Sequence, residues 1–199
     1  MHFQCIIDGM QRGPAFRIAL LDASNREEIA AFYLRLDEVG RRLRFFGPVS
    51  EQALRRHVRG IDFARSTVVG MYRGQELIGV AEAITGAAEP HGGAADEAAP
   101  MAELAIALSA DARGHGLGST LFCCALSAAR EHGARHIEFV TAGDNDRMKR
   151  LALGLGMHGR VAGGDWHGAL EFQDEDAHLP SVHWLAAGSS WAAPAHRAA

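Results

Sequence analysis

The chain has 199 residues, a length that suits one domain and is short for two. Its residues are 48% hydrophobic and 22% charged, which allows a sizeable core and excludes wholesale disorder. A formal net charge of −4 and a sequence pI of about 6.2 argue against a chain built to bind nucleic acid. No apolar run approaches the roughly 20 residues needed to span a bilayer, so no membrane partner is expected. The first residues, Met1-His2-Phe3-Gln4-Cys5, lack the basic-then-apolar pattern of a signal peptide. Cys5, Cys123 and Cys124 are odd in number, and two are adjacent, so they form neither a disulfide framework nor a zinc set. The histidines show no HExxH pattern, so no metal is expected. A reducing, cytoplasmic location fits these features.

Residues 1–14 read as a leader ending in Arg12-Gly13-Pro14, and Ala15 to Leu21 as a first strand. Asp22 to Asn25 offer helix caps, with Glu27 at capping-box spacing from Ser24. Ile29, Phe32, Tyr33 and Leu36 then recur at helical spacing. The run Arg41-Arg42-Leu43-Arg44-Phe45-Phe46 leads to a stop at Gly47-Pro48, and Ser50 caps a helix to about Arg59. Ser66 to Tyr72 and Leu77 to Ile84 form a hairpin about Arg73-Gly74-Gln75. Residues 86–100, rich in Ala, Gly, Pro and acid, read as a long loop. Met101 to Leu108 is a strand with Leu104, Ile106 and Leu108 on one face and Glu103, Ala105 and Ala107 on the other. A helix from Gly116 to Gly133, a strand from His136 to Thr141 and a helix from Asp144 to Gly156 follow. Short strands at Met157 to Ala162 and Gly168 to Phe172 precede an irregular tail, 174–199, that contains Trp184 and Trp191. This order predicts a mixed α/β sheet with helices on its faces.

The segment Arg113-Gly114-His115-Gly116-Leu117-Gly118 joins a strand to a helix. Its glycines let the backbone approach a ligand, and the unpaired amides that open the next helix favour a phosphate or pyrophosphate. A dinucleotide fingerprint would need a third glycine where Ser119 stands, and a Walker loop would need a Lys that is missing. The remaining pattern, [QR]-x-x-G-x-[GA], is filled by Arg113, Gly116 and Gly118.

Together with the strand Ala102 to Leu108, this loop resembles the acetyl-CoA motif of the GNAT superfamily. The segment Asn145 to Leu151, closing in Leu155-Gly156-Met157, is similar to the helix that follows in that family. Leu36 to Phe46 resembles the catalytic domain of bacterial protein-lysine acetyltransferases. The resemblance covers residues 15–173 as one acetyltransferase domain. It implies a mostly antiparallel twisted sheet flanked by helices and acetyl-CoA as co-substrate. It also implies an amine acceptor, either a protein lysine or a small molecule; an oligomer is compatible with it. The cofactor would be held by the loop from Arg113 through Ser119, including His115 and Leu117, and by backbone groups at Ile106 and Leu108. Asn145 would either bond the pantetheine arm or cap its own helix. A chain with the same loop but no working catalytic groups would instead be an acetyl-CoA sensor.

Amine acetylation requires a neutral nucleophile, and a free lysine has a pKa of about 10.4, so a general base is needed. Glu103 is the candidate. Its small neighbours Ala105 and Ala107 leave room for substrate, and the resemblance places the catalytic glutamate of lysine acetyltransferases there. Glu82 is the rival, alternating with Ile78, Val80 and Ile84 on an otherwise apolar face. Many family members carry a tyrosine later on the Asn145 helix as an acid for the leaving thiolate; Ala152 stands at that position. The arginines at 41, 42, 44, 55, 56, 59 and 65 suit a solvated face or an anion-binding patch.

Overall fold

The computed structural model describes residues 16–86 and 101–172. The expected leader, most of the 86–100 loop, and the tail with Trp184 and Trp191 lie outside the described residues. The strands are β1 (Phe16–Leu21), β2 (Ser66–Arg73), β3 (Glu76–Gly86), β4 (Met101–Leu108), β5 (His136–Ala142), β6 (His158–Ala162) and β7 (Asp165–Glu171). They form one seven-stranded sheet in the order β1-β2-β3-β4-β5-β7-β6. Neighbours are antiparallel except β4 and β5, which run parallel. The mixed, mostly antiparallel sheet is thus the one expected.

The helices are α1 (Arg26–Arg35), α2 (Glu38–Phe45), α3 (Glu51–Gly60), α4 (Leu117–Glu131) and α5 (Asp146–Gly154). The first half differs from the sequence reading in two places. The capping box before α1 is built by Asp22 and Asn25 around a short 3-10 turn, not by Ser24 and Glu27. The chain then breaks at Leu36, whose ψ of 138° is extended, and restarts as the separate helix α2. Asp37 caps that helix, its Oδ1 accepting from the Gly40 amide at 2.9 Å.

Each face of the sheet carries its own core. One is built with α4 and includes Leu104, Leu121, Phe122, Ile137 and Phe139. The other is built with α1 and α3 and includes Ile29, Tyr33, Leu54, Val58, Val68 and Val80. Arg26 ties α1 to the end of α3 by donating to the carbonyls of Val58, Arg59 (3.0 Å) and Ile61 (2.8 Å). A cation at a helix C-terminus is favoured by the helix dipole.

A register shift between Met71 and Tyr72 pairs Gly79 with Met71 and Leu77 with Tyr72, leaving Ile78 as the bulged residue. Ile78 therefore joins the α4 core, whereas Leu77 and Val80 join the α1–α3 core. The expected alternation of Ile78 with Glu82 fails for this reason.

Candidate functional site

β4 and β5 stay paired only from Met101↔His136 to Leu104↔Phe139. Beyond that point β5 continues beside β7 to Ala142, and β4 continues beside β3 to Leu108. The parallel pair therefore opens into a V. The amide of Ser109 donates to the Ile78 carbonyl on β3 at 2.9 Å. Main-chain groups alternate between the two edges of a strand. Ala105 and Ala107 thus turn theirs to β3, and Ile106 and Leu108 turn theirs into the V. The Leu108 carbonyl accepts from Nε of Arg113 at 3.2 Å.

A cleft of about 370 Å³ fills the V. Its walls are the inner half of β4, the end of β5, the glycine loop, one side of α5 and the last turns of α2. Gly114 and Gly116 have φ of 92° and 78°, a left-handed conformation that costs other L-residues about 1–2 kcal/mol. A Cβ added to either would meet nothing within 4 Å, so backbone geometry rather than crowding demands glycine. Gly118 is different: its Cβ would lie 3.3 Å from Leu108 Cδ1, which fixes how closely α4 approaches β4.

Gly116 precedes α4 without a side-chain cap, while the amides of Ser119 and Thr120 return to the Gly116 carbonyl at 3.0 and 3.3 Å. The loop and the helix start present amides and a positive dipole end to the cleft. Leu117 is buried in the α4 core and, like His115, is not among the residues that line the cleft. His115 and Ser119 are exposed.

Arg113 lies at the cleft, but its guanidinium grips Asp37, bidentate, with NH1 at 3.1 Å from Oδ2. That hydrogen bond holds the Asp37 carboxyl below its ordinary range. A Cβ on Gly40 would lie 2.5 Å from NH2 of Arg113, so this glycine lets α2 seat against the arginine.

Glu103 is exposed and lines the cleft; among the described lining residues it is the only carboxylate. Glu82 shares its sheet face but is 0% exposed. It accepts from the Tyr33 hydroxyl, faces His57 Nε2 at 3.1 Å and pairs with Arg44 NH2 at 3.2 Å. Burial alone would raise its pKa, but the Arg44 charge and the bonds from His57 and Tyr33 outweigh it and bring it down to about 2. Burial and the Glu82 charge push the Tyr33 hydroxyl up instead. Arg44 also stacks on Phe45, 4.8 Å from the ring centroid, and reaches the cleft wall. Sequence spacing did not reveal this cluster, because its members come from three helices and a strand.

Asn145 caps α5: its Oδ1 accepts from the Met148 amide at 3.3 Å and its Nδ2 donates to Thr141 Oγ1 at 2.9 Å. It also lines the cleft. Ala152 is 0% exposed within the α4 core. The chain's two tyrosines, Tyr33 and Tyr72, bond Glu82 and Glu28, and neither lines the cleft. The arginine run does not form one patch. Arg41 binds the Leu34 and Leu36 carbonyls, Arg44 is committed to Glu82, and Arg55 pairs with Glu51 at 2.9 Å. Among the described residues, no helix is long and apolar enough to cross a membrane.

An open parallel pair, a left-handed glycine turn at a helix start and an exposed carboxylate meet at this one cleft. Residues 30–157 match the family described as Acetyltransferase (GNAT) family. The chain belongs to this family, and its enzyme class is that of an acyl-CoA-dependent N-acetyltransferase. Solved structures share the fold. The GNAT domain of S. lividans PAT superposes with a TM-score of 0.66 at 21% identity, covering 79% of this chain and 90% of that one. Ribosomal-protein-alanine N-acetyltransferase from Brucella melitensis gives 0.58 at 18%, covering 78% and 99%. The protein yncA from Salmonella typhimurium, solved with its cofactor acetyl-CoA, gives 0.59 at 16%, covering 82% and 97%. No curated protein matches the chain in sequence.

Proposed function

We propose that the protein moves the acetyl group of acetyl-CoA to a primary amine, a protein lysine before a small molecule, with Glu103 as general base. The observation that carries this reading is the position of Glu103 as the cleft's carboxylate, on the strand that runs into the glycine loop. The pyrophosphate would rest on the amides from Gly114 to Gly118, beside exposed Ser119, whose own amide is bonded to the Gly116 carbonyl. The pantetheine arm would add to the open edge of β4 at Ile106 and Leu108, as an extra strand does.

Glu103 would take a proton from the acceptor ammonium, directly or through one water. The neutral nitrogen then attacks the thioester carbon, and an amide at the open β4 edge receives the developing oxyanion. Attack forms the N–C bond; collapse of the tetrahedral intermediate re-forms the carbonyl and breaks the C–S bond, coenzyme A leaves as thiolate, and the proton left on the nitrogen reaches that thiolate through solvent. The acetyl-CoA solved with yncA and the protein amine named for the Brucella enzyme, both on this fold, support the choice of donor and acceptor class.

The test is calorimetric titration with acetyl-CoA, followed by rates on a lysine peptide and on free amines. Binding with turnover on the peptide supports the reading, and turnover on free amines alone moves the acceptor to a small molecule. The absence of a tyrosine from the cleft favours a second reading, a non-catalytic acetyl-CoA sensor. Binding without turnover on any amine would establish it.

A further inference from the structure

The face that bears Glu103 carries more than one carboxylate. Glu138 is the register partner of Glu103 on β5 and is also exposed. Paired residues on neighbouring strands project to the same face, so the two carboxylates stand side by side. Ile84 is the partner of Glu103 on β3, on that same face, and is 42% exposed.

Phe46 completes this surface. α2 runs antiparallel to β4: Gly40 lies against Arg113, near the end of β4, and Arg44 lies against Glu82, whose register partner is Ala105. The end of the helix therefore falls at the level of Glu103. There Phe46 is 49% exposed and lines the cleft. It is also the one non-glycine residue with positive φ among those described, at 58°. A left-handed aromatic held half in water marks stored strain, which tends to collect at functional positions.

We infer that Phe46, Ile84 and Glu138 form the acceptor subsite. It selects an amine on an unbranched aliphatic arm, with the methylenes against Phe46 and Ile84 and the ammonium drawn to Glu103 and Glu138. This inference rests on the acyl-transfer reading above and sharpens its acceptor. A polyhydroxylated amine has no apolar segment to place on this surface. A lysine side chain has both parts in the required order.

The test is a chain-length series of blocked diamino acids, from diaminobutyrate through ornithine to lysine, under saturating acetyl-CoA. Each methylene withdrawn from water contributes roughly a fourfold factor, so kcat/KM should climb by about that much per step. Phe46→Gly and Ile84→Thr should flatten the series through KM, and Ile84→Thr, which is outside the cleft lining, should leave acetyl-CoA affinity unchanged. Glycine takes φ of 58° without steric strain, which offsets the lost ring contacts and the freer unfolded chain, so Phe46→Gly should melt close to the parent. Glu138→Gln should raise KM across the series and weaken its salt dependence while kcat holds. A flat series in the parent, or variants that lower melting temperature but leave KM untouched, would overturn the subsite and spare the transfer reading. Acetyl-CoA binding with no amine acetylated would overturn both.

Discussion

Glu82 and Glu103 stand diagonally opposed on adjacent strands and on one face of the sheet, since Glu82 pairs with Ala105 and Ile84 pairs with Glu103. Their surroundings are opposite. Glu82 is sealed among Arg44, His57 and Tyr33, whereas Glu103 opens into the cleft. Two carboxylates so close are therefore placed for different work: one organises α2 and α3 against the sheet, and the other stands exposed at the cleft, where we propose it serves as the base.

Substitution should separate these roles. Glu103→Gln keeps the shape of the strand and removes only the base. The expected loss is about 10²–10⁴ in kcat at neutral pH, with acetyl-CoA affinity unchanged. The deficit should shrink as pH approaches the acceptor's own pKa, where free amine forms without help. Steady-state rates between pH 7 and 10 test this, and a deficit independent of pH would remove Glu103 from the base role.

Glu82→Gln should instead act on stability. It leaves Arg44 buried without its counter-charge, a change that typically costs about 3–5 kcal/mol. The pH dependence follows from the same geometry. The folded pKa of about 2 lies below the ordinary 4.5, so the unfolded chain binds more protons between these values. The stabilisation is fully present above about pH 4.5 and is lost as pH falls toward 2. It amounts to about 3 kcal/mol from this one group. Urea unfolding at pH 7 and pH 3 should show the parent losing stability that Glu82→Gln has already lost. Equal losses in both proteins would assign the acid sensitivity elsewhere.

What the sequence disclosed and what it withheld divide by range. The glycine loop and the two faces of β4 are local patterns, readable from spacing alone, and the structure places Gly114, Gly116 and Glu103 around one cleft. The cluster around Glu82 assembles Tyr33, Arg44 and His57 from elements far apart in the chain. No periodicity reports such a meeting. The bulge at Ile78 changed the phase of β3 by one residue, which moved Ile78 to the far face and left the burial of Glu82 unreadable from alternation. The break between α1 and α2 did carry a local signal, because Asp37 stands where a cap for Gly40 belongs. Glu138 was missed because its partnership with Glu103 exists only once β4 and β5 lie side by side.

The glycine loop makes a prediction about charge rather than size. Gly116→Ala should incur left-handed strain of about 1–2 kcal/mol, because φ there is 78°, yet the added methyl meets no atom. Gly116→Glu adds the same strain and sets a carboxylate in front of the amides proposed to hold the pyrophosphate. Calorimetry should therefore show weakened acetyl-CoA binding for the alanine variant and none for the glutamate variant. Equal binding by both would mean that the phosphates lie elsewhere.

Arg113 lines the cleft and also holds the fold together around it. Its side chain spans from the Leu108 carbonyl to Asp37, so it braces α2 against the end of β4. Asp37 in turn caps α2 through Gly40. Arg113→Ala and Asp37→Ala should each lower stability by about 1 kcal/mol or more, and the double variant should lose less than the sum, because they share one interaction. A double-mutant cycle in urea measures the coupling. Strict additivity would show the pair to be independent, and a loss of acetyl-CoA affinity in Arg113→Ala alone would return the arginine to the cofactor.

The absence of a tyrosine from the cleft shapes the pH profile of catalysis. Among the described lining residues there is no Tyr, Cys, His or Lys from which the leaving thiolate could take a proton. The rate should therefore rise with pH as the acceptor loses its proton and show no descending limb through pH 10. Ala152→Tyr should not supply the missing acid. Ala152 is 0% exposed and packed in the α4 core, so a tyrosine there overpacks it at a cost of about 1–3 kcal/mol. Rates and melting temperatures of that variant decide the matter together. A lower melting temperature with unchanged turnover fits a thiolate that leaves without help. A gain in rate with a new descending limb would show that α5 can turn a side chain at this position into the cleft.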